Sequence, residues 1–238
     1  MGYLPIFLDL GGRLCLVIGG GELAEAKVRA LVDAGAIVTV VSREATDGIK
    51  LQAAGGVVRY LAREYDHGDL RGNTLVYIAS ENDEVAHCAA REARELGILF
   101  NVADNPECSD FISPAAFKRG DLQIAISTSG SSPAVARMLR QRLEQQIGPG
   151  YAFVLEIMRR SRQFLRKRQP DQRARACILK SLAGALLDSI EILDYPLIDQ
   201  ALRLHLHAGM AELGLDPRDG AKRTGPAGAS TPESKISQ

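Results

Sequence analysis

Three groups of residues in this chain have types and spacings suited to chemistry. The first is glycine-rich. An apolar run at 14–18 leads into Gly19, Gly20 and Gly21, and a helix-forming stretch at 23–34 follows at once. Gly19, Gly21 and Ala24 fit the spacing G-x-G-x-x-A, the pattern of a dinucleotide site. The first glycine allows the tight strand-to-helix turn and the second lets backbone approach a pyrophosphate. The small third residue lets helix and strand pack closely, and the helix N-terminus offers free N–H groups to the phosphates. Gly20, Glu22 and Leu23 belong to the same turn and should line it with Gly19 and Gly21. The alternative is a glycine-rich turn with no ligand.

The second group is a carboxylate, Asp104, placed just beyond an apolar stretch at 98–102. Ligands of open α/β sheets bind at the C-terminal ends of strands, so an aspartate there can meet one. It can equally cap the Asn105-Pro106 turn. The third group is hydroxyl-rich: Ser127, Thr128, Ser129, Gly130 and Ser132 precede Pro133, with Arg137 and Arg140 on the helix beyond. Hydroxyls and backbone N–H groups at a helix start can take an anion, and arginines can pair with carboxylates. The plain alternative is a helix cap followed by solvated arginines.

The elements that must position these groups follow from periodicity. Residues 14–18, 36–42, 57–60, 75–79, 98–102 and 122–127 read as strands, and 23–34, 46–54 and 83–96 as intervening helices. That alternation predicts an α/β fold with a parallel, Rossmann-type sheet. At the end of the second strand, where an acid often holds the adenosine ribose, stand Ser42, Arg43 and Glu44. Glu44 is late for that role, and Arg43 could instead favour a 2′-phosphate. Ser132 should cap a helix over 133–147, with Pro133 in its first turn. From 151 to 213 the period is helical, with breaks near Pro170 and Pro196. Residues beyond Pro217 are rich in Gly, Ala, Ser, Thr and Pro, the composition of a disordered tail.

Composition narrows the classes. Lys+Arg and Asp+Glu both number 29, so bulk charge favours neither nucleic acid nor a membrane surface. No apolar run approaches the ~18 residues of a spanning helix, and the N-terminus lacks a signal-peptide pattern, so a cytoplasmic protein is expected. Cys15, Cys88, Cys108 and Cys177 form no C-x-x-C pair, and no histidine pair has ligand spacing, so no resident metal is expected. The run Arg159, Arg160, Arg162, Arg166, Lys167 and Arg168 is basic, without the interleaved aromatics of a nucleic-acid surface.

Taken in order, Leu4-Pro5-Ile6-Phe7, the three glycines, Asn101-Val102-Ala103-Asp104, Phe111-Ile112-Ser113-Pro114 and the stretch from Ser127 to Arg137 resemble the precorrin-2 dehydrogenase family. That family includes the N-terminal half of siroheme synthase and its stand-alone relatives, some also sirohydrochlorin ferrochelatases. The resemblance covers roughly 2–210. It implies oxidation of precorrin-2 to sirohydrochlorin in siroheme synthesis, with NAD as hydride acceptor. It also implies Asp104 as the catalytic carboxylate, a homodimer built largely through the segment after Pro114, and ferrous iron as a substrate if chelation is a second activity. It implies three domains: NAD-binding at 1–113, dimerisation at 114–149 and helical at 150–215, followed by a tail at 216–238. No methyltransferase half is expected within this length. It places Asn82 near the nicotinamide. Here the chain departs from the family: Glu81 stands where threonine is usual, and His87 where asparagine is frequent. A reading from another class is an NAD-sensing regulatory module, which leaves Asp104 and the hydroxyl-rich loop unexplained.

Overall fold

The computed structural model describes residues 2–188 and 194–216; the tail expected beyond 217 lies outside them. The chain divides into two compact units, with the break after Ser113.

The first unit is a five-stranded sheet of β1 (Leu14–Ile18), β2 (Ile37–Val41), β3 (Arg59–Leu61), β4 (Leu75–Ile78) and β5 (Leu99–Val102). Their order is β3-β2-β1-β4-β5, and every pairing is parallel. This is the doubly wound arrangement, with its switch point between β1 and β4. β1 is apolar throughout because it is central and covered on both faces. Successive side chains point to opposite faces. Cys15 and Val17 therefore pack with Ala24, Val28 and Leu31 of α1 (Glu22–Asp33). Leu16 and Ile18 pack on the other side with Ala86, Ala89 and Ala93 of α3 (Asp83–Leu96). The alanines of α3 recur at helical spacing and let the helix lie close to the sheet. Gly97, at φ 66°, ends that helix in the left-handed conformation that a residue without Cβ adopts freely. α2 (Asp47–Ala54) runs between β2 and β3.

The second unit departs from the sequence expectation. The stretch at 122–127 is not a sixth parallel strand. β7 (Leu122–Ile126) pairs antiparallel with β6 (Ala115–Arg119) as a separate two-stranded sheet, joined through Gly120 at φ 58° and Asp121. The reason lies in the pattern. Leu122-Gln123-Ile124-Ala125-Ile126 alternates half-buried and exposed, which suits a ribbon covered on one face and not a central parallel strand. The two-residue Gly-Asp connection is the hairpin signal that marks it.

Four helices follow: α4 (Pro133–Gln146), α5 (Gly150–Arg168), α6 (Gln172–Asp188) and α7 (Tyr195–Leu206). Pro170 falls between α5 and α6. Pro196 stands in the first turn of α7, where its missing N–H costs nothing, and Asp194 caps that helix by accepting from Leu197 N at 3.2 Å. Phe153, Ile157, Leu182, Leu186, Ile198 and Leu202 form the core of α5–α7. Phe153 meets Tyr195 edge to face at 5.8 Å. The basic run on α5 is partly structural. Glu156 pairs with both Arg159 (2.7 Å) and Arg160 (2.6 Å), and Arg160 also donates to Leu213 O at 3.1 Å. Arg168 lies over the Phe164 ring at 4.1 Å.

Candidate dinucleotide-binding cleft

At the C-terminal edge of the parallel sheet the loops after β1, β2, β4 and β5 enclose a cleft of roughly 950 Å³. The three glycines divide the work there. At Gly19, φ is 117° and a Cβ would lie 2.1 Å from Ala79 O, so only glycine lets β1 turn so close to the loop after β4. At Gly20 a Cβ would lie 1.9 Å from Glu44 O, where the loop after β2 crosses. Gly20 O also accepts from Thr46 N at 2.9 Å, tying the two loops together. A Cβ at Gly21 would meet nothing within 4 Å. No contact among the described residues explains that third glycine, which lines the cleft.

The helix that starts there differs from the others of its unit. Thr46 and Asn82 cap α2 and α3 with side-chain oxygens, whereas no side chain caps α1; in the second unit Ser132 caps α4 and α5 too has no side-chain cap. Its first turn bond is Glu25 N to Gly21 O at 2.9 Å. The N–H groups ahead of it, at Gly21, Glu22 and Leu23, are left for a ligand, and the helix dipole favours an anion at that end. These residues fit a dinucleotide pyrophosphate.

Arg43 and Glu44, beyond β2, line one end of the cleft and are both exposed. Tyr60 on β3 donates its hydroxyl to Ser42 O at 3.0 Å, which holds this loop. Arg43 is not free: its guanidinium pairs at 2.7 Å with Glu64, which follows β3 and lines the same end. Next to it, Tyr65 donates its hydroxyl to Glu92, a buried carboxylate on α3 that also accepts from Gly68 N at 2.9 Å. Burial and that carboxylate push the Tyr65 phenol well above its usual range.

At the other end lie Ala79, Ser80, Glu81, Asn82 and Asp104. Asn82 lines the cleft, but its side chain is engaged as the α3 cap, accepting from Glu84 N at 2.9 Å. His87 turns back to Asp83 O at 2.7 Å. Asp104 does not cap the following turn; Asn105 does, accepting from Cys108 N at 3.2 Å. Asp104 has φ 57°, left-handed backbone that few side chains adopt readily. Its surroundings enforce it. Ser109 Oγ accepts from Val102 N at 2.9 Å and donates to Asn105 O at 2.7 Å, and buried Asn101 donates to Phe111 O at 2.8 Å. A residue held in sparse backbone space by its neighbours is common at functional sites. The Asp104 carboxylate is exposed and takes no hydrogen bond or ion pair among the described residues.

Lys27, on α1, was not singled out as a site residue from the sequence. It is half-buried, donates to Ser113 Oγ at 3.0 Å and lies over the Tyr77 ring at 5.2 Å. Burial lowers its pKa below the ordinary 10.5, and the negative charge of Asp104 holds it up in part. Tyr77 in turn stacks edge-on against Phe111 at 5.4 Å, and burial raises its phenol. The sequence did carry a signal, because Lys27 falls among Ala24, Val28 and Leu31 on the buried face of α1.

The hydroxyl-rich group lies in the second unit. Ser132 caps α4 as expected, accepting from Val135 N at 3.3 Å. Thr128 Oγ1 accepts from Ser132 N and donates to Ser132 O, and Ser127 Oγ accepts from Ser129 N at 3.0 Å, so these hydroxyls hold their own loop. Ser129 (φ 53°) and Gly130 (φ 85°) make the left-handed turn that exposes its backbone. Arg140 pairs with Glu144, which Arg119 also holds at 3.3 Å. Arg137 is exposed, with no ion pair among the described residues. No group of three or more His, Cys, Asp or Glu side chains able to hold a metal ion occurs among the described residues, and no helix there is long and apolar enough to cross a membrane.

Sheet order, glycine loop and uncapped helix define a Rossmann-type nucleotide-binding unit. Residues 6–115 match a family described as "Putative NAD(P)-binding", and residues 119–146 one described as "Sirohaem biosynthesis protein central". By these matches the chain is similar to NAD(P)-binding and sirohaem biosynthesis proteins over 6–115 and 119–146. Similar proteins include the siroheme synthase of Azotobacter vinelandii, 38% identical over 74% of this chain and 38% of that protein. The siroheme synthase of Chromobacterium violaceum is 36% identical over 98% of this chain and 49% of that protein. The chain thus spans at most about half the length of these relatives. Among solved structures, "SirC, precorrin-2 dehydrogenase" superposes with a TM-score of 0.66 at 24% identity, over 79% of this chain and 99% of that one, a likeness of fold.

Proposed function

We propose that this chain oxidises precorrin-2 to sirohydrochlorin, with NAD as the hydride acceptor. The observation that carries the reading is a pairing within one cleft. An aspartate with an unclaimed carboxylate, held at φ 57°, opens on the same space as an uncapped glycine-rich helix start. The likeness to siroheme synthases and to a precorrin-2 dehydrogenase suggests the substrate.

The oxidation removes a hydride and a proton from the tetrapyrrole. NAD, when bound, supplies the two-electron acceptor for the hydride. The chain supplies the rest. Gly21, Glu22 and Leu23 hold the pyrophosphate through backbone N–H groups, and Gly19 and Gly20 shape the turn. Arg43 and Glu44 bound the adenosine end, and Asn82 fixes the start of α3 beside the nicotinamide end. Asp104 takes the proton and releases it to solvent, so substrate and NAD become product, NADH and one proton. Lys27, through Ser113 and Tyr77, steadies the charge around that aspartate. The loop of Ser127, Thr128, Ser129, Gly130 and Ser132, with Arg137 and Arg140, receives the substrate's carboxylates, chiefly through exposed backbone and Arg137, which has no ion pair among the described residues. A second copy of the chain covers α4, whose Val135, Met138 and Leu139 are exposed.

The test is anaerobic. Purified protein is mixed with precorrin-2 and NAD, and NADH and sirohydrochlorin are followed. Stoichiometric NADH supports the reading, and a folded protein that makes none overturns it. Adding ferrous iron and sirohydrochlorin to the same sample tests the second activity.

A further inference from the structure

The adenosine end of the cleft lacks the acid at the end of β2 that usually selects NAD. Ser42-Arg43-Glu44 stands there, and a lone exposed arginine at that place is the mark of a site for a 2′-phosphate. In this structure that arginine already has a partner. Glu64 enters from beyond β3, 21 positions along from Arg43, and takes the guanidinium at 2.7 Å. The parallel register of β2 and β3, Thr39 with Arg59 and Val41 with Leu61, brings the two loops side by side. Tyr60, donating to Ser42 O and Arg43 O, fixes the loop that carries Arg43. Arg63, paired with Asp69 at 2.7 Å, fixes the segment that carries Glu64. The rest of the cleft is acidic: Glu22, Glu44, Glu64, Glu81 and Asp104 face it, and Arg43 is the one Lys or Arg among its lining residues.

We propose that Glu64 is the cofactor-selecting residue of this site: it ties up Arg43 and offers its carboxylate to the ribose hydroxyls, so that a 2′-phosphate meets an acid where a free arginine would have welcomed it. This rests on the dinucleotide reading of the cleft. A 2′-phosphate brought to Glu64 would face like charge with its only cation already engaged. A ribose 2′-hydroxyl would find an acceptor already oriented by the ion pair. Glutamine at 64 keeps the size, gives up the charge and releases Arg43.

The experiment is calorimetric, on the full chain, with NAD and NADP as ligands and with 5′-AMP and 2′,5′-ADP as adenosine-end probes. Wild type should favour NAD by tenfold or more. In Glu64→Gln the NADP affinity should rise at least tenfold while that for NAD falls a few-fold, and 2′,5′-ADP should follow NADP. Adding Arg43→Gln to Glu64→Gln should remove most of the gain, leaving only what relief of the like charge supplies. An NADP-to-NAD ratio in Glu64→Gln within twofold of wild type overturns the proposal, as does a gain undiminished by loss of Arg43 or a wild type that favours NADP. Wild type that binds none of the four ligands overturns the dinucleotide reading itself, and this proposal with it. The pair is exposed and both its segments have other anchors, so these variants keep the fold; thermal unfolding alongside confirms it.

Discussion

Alanine placed at each of two adjacent glycines should separate stability from binding. At Gly21 the backbone sits at φ −75° and ψ −175°, extended geometry open to any residue, and the new methyl meets nothing within 4 Å. Gly21→Ala should therefore fold normally, gaining about 0.4–1 kcal/mol from a less flexible unfolded chain. The methyl would occupy the space through which a pyrophosphate must approach the uncapped start of α1. Losing one or two charge-assisted hydrogen bonds at ~1.5–3 kcal/mol each weakens NAD binding by roughly 10- to 1000-fold or more. Gly20→Ala has the opposite character. Its methyl would stand 1.9 Å from Glu44 O and 2.9 Å from Ala45 Cα, both backbone, so the loop after β2 must move. Overpacking of that kind costs about 1–3 kcal/mol. Urea unfolding and NAD titration on both variants measure the two effects. A Gly21→Ala protein that binds NAD within twofold of wild type, or that loses as much stability as Gly20→Ala, refutes the division of roles.

Asp104→Asn keeps a residue that tolerates φ 57° and removes the base. NADH formation should fall by about 10²–10⁴-fold with NAD affinity nearly unchanged, and a rate within fivefold of wild type would exclude Asp104 as the base. Lys27 has a native pKa below its unfolded value of 10.5, so its ammonium costs the native state at neutral pH and ceases to do so as pH rises through that window. The stability difference between wild type and Lys27→Met should thus move in favour of wild type as pH climbs towards 10.5; movement the other way reverses the sign of the argument. Burial takes the Cys15 thiol up to about 11, and it is 0% exposed. Iodoacetamide on the native protein at mildly alkaline pH should modify exposed Cys88 and Cys177 and spare Cys15 until the protein is unfolded, as peptide mass mapping would show.

What was legible in the sequence is what depends on near neighbours along the chain. The run at 14–18, the glycines after it and the apolar spacing of α1 and α3 need no distant partner to be recognised. Ser132 and Pro133 announce α4 for the same reason. The hairpin was missed because β6 buries only Phe117 and alternates weakly, so its partner at 122–126 was read as one more strand of the parallel sheet. Glu64 was missed because its role arises from the β2–β3 register and from no motif around it. Glu92 is similar: it falls on the buried face of α3, and only the fold brings Tyr65 and Gly68 to it.

Within the first unit the departures from local rules gather in one place, and that is the stronger argument for the site. A glycine with no contact to justify it, a helix start with no capping side chain and an aspartate in left-handed backbone each cost stability or leave a group unsatisfied. A lysine half-buried beside that aspartate is a fourth. Scattered over that unit they would be isolated oddities. Gly21, the start of α1 and Asp104 open on the cleft at the C-terminal ends of β1, β4 and β5, and Lys27 lies one turn along α1. The rest of the first unit obeys the rules: its other long helices are capped, and its central strands alternate cleanly between two cores. Sequences that break local consistency do so where function asks for it. Here the broken rules are complementary in kind, unclaimed N–H donors for an anion and an unclaimed carboxylate for a proton, which is the pair of requirements a hydride-removing oxidation sets.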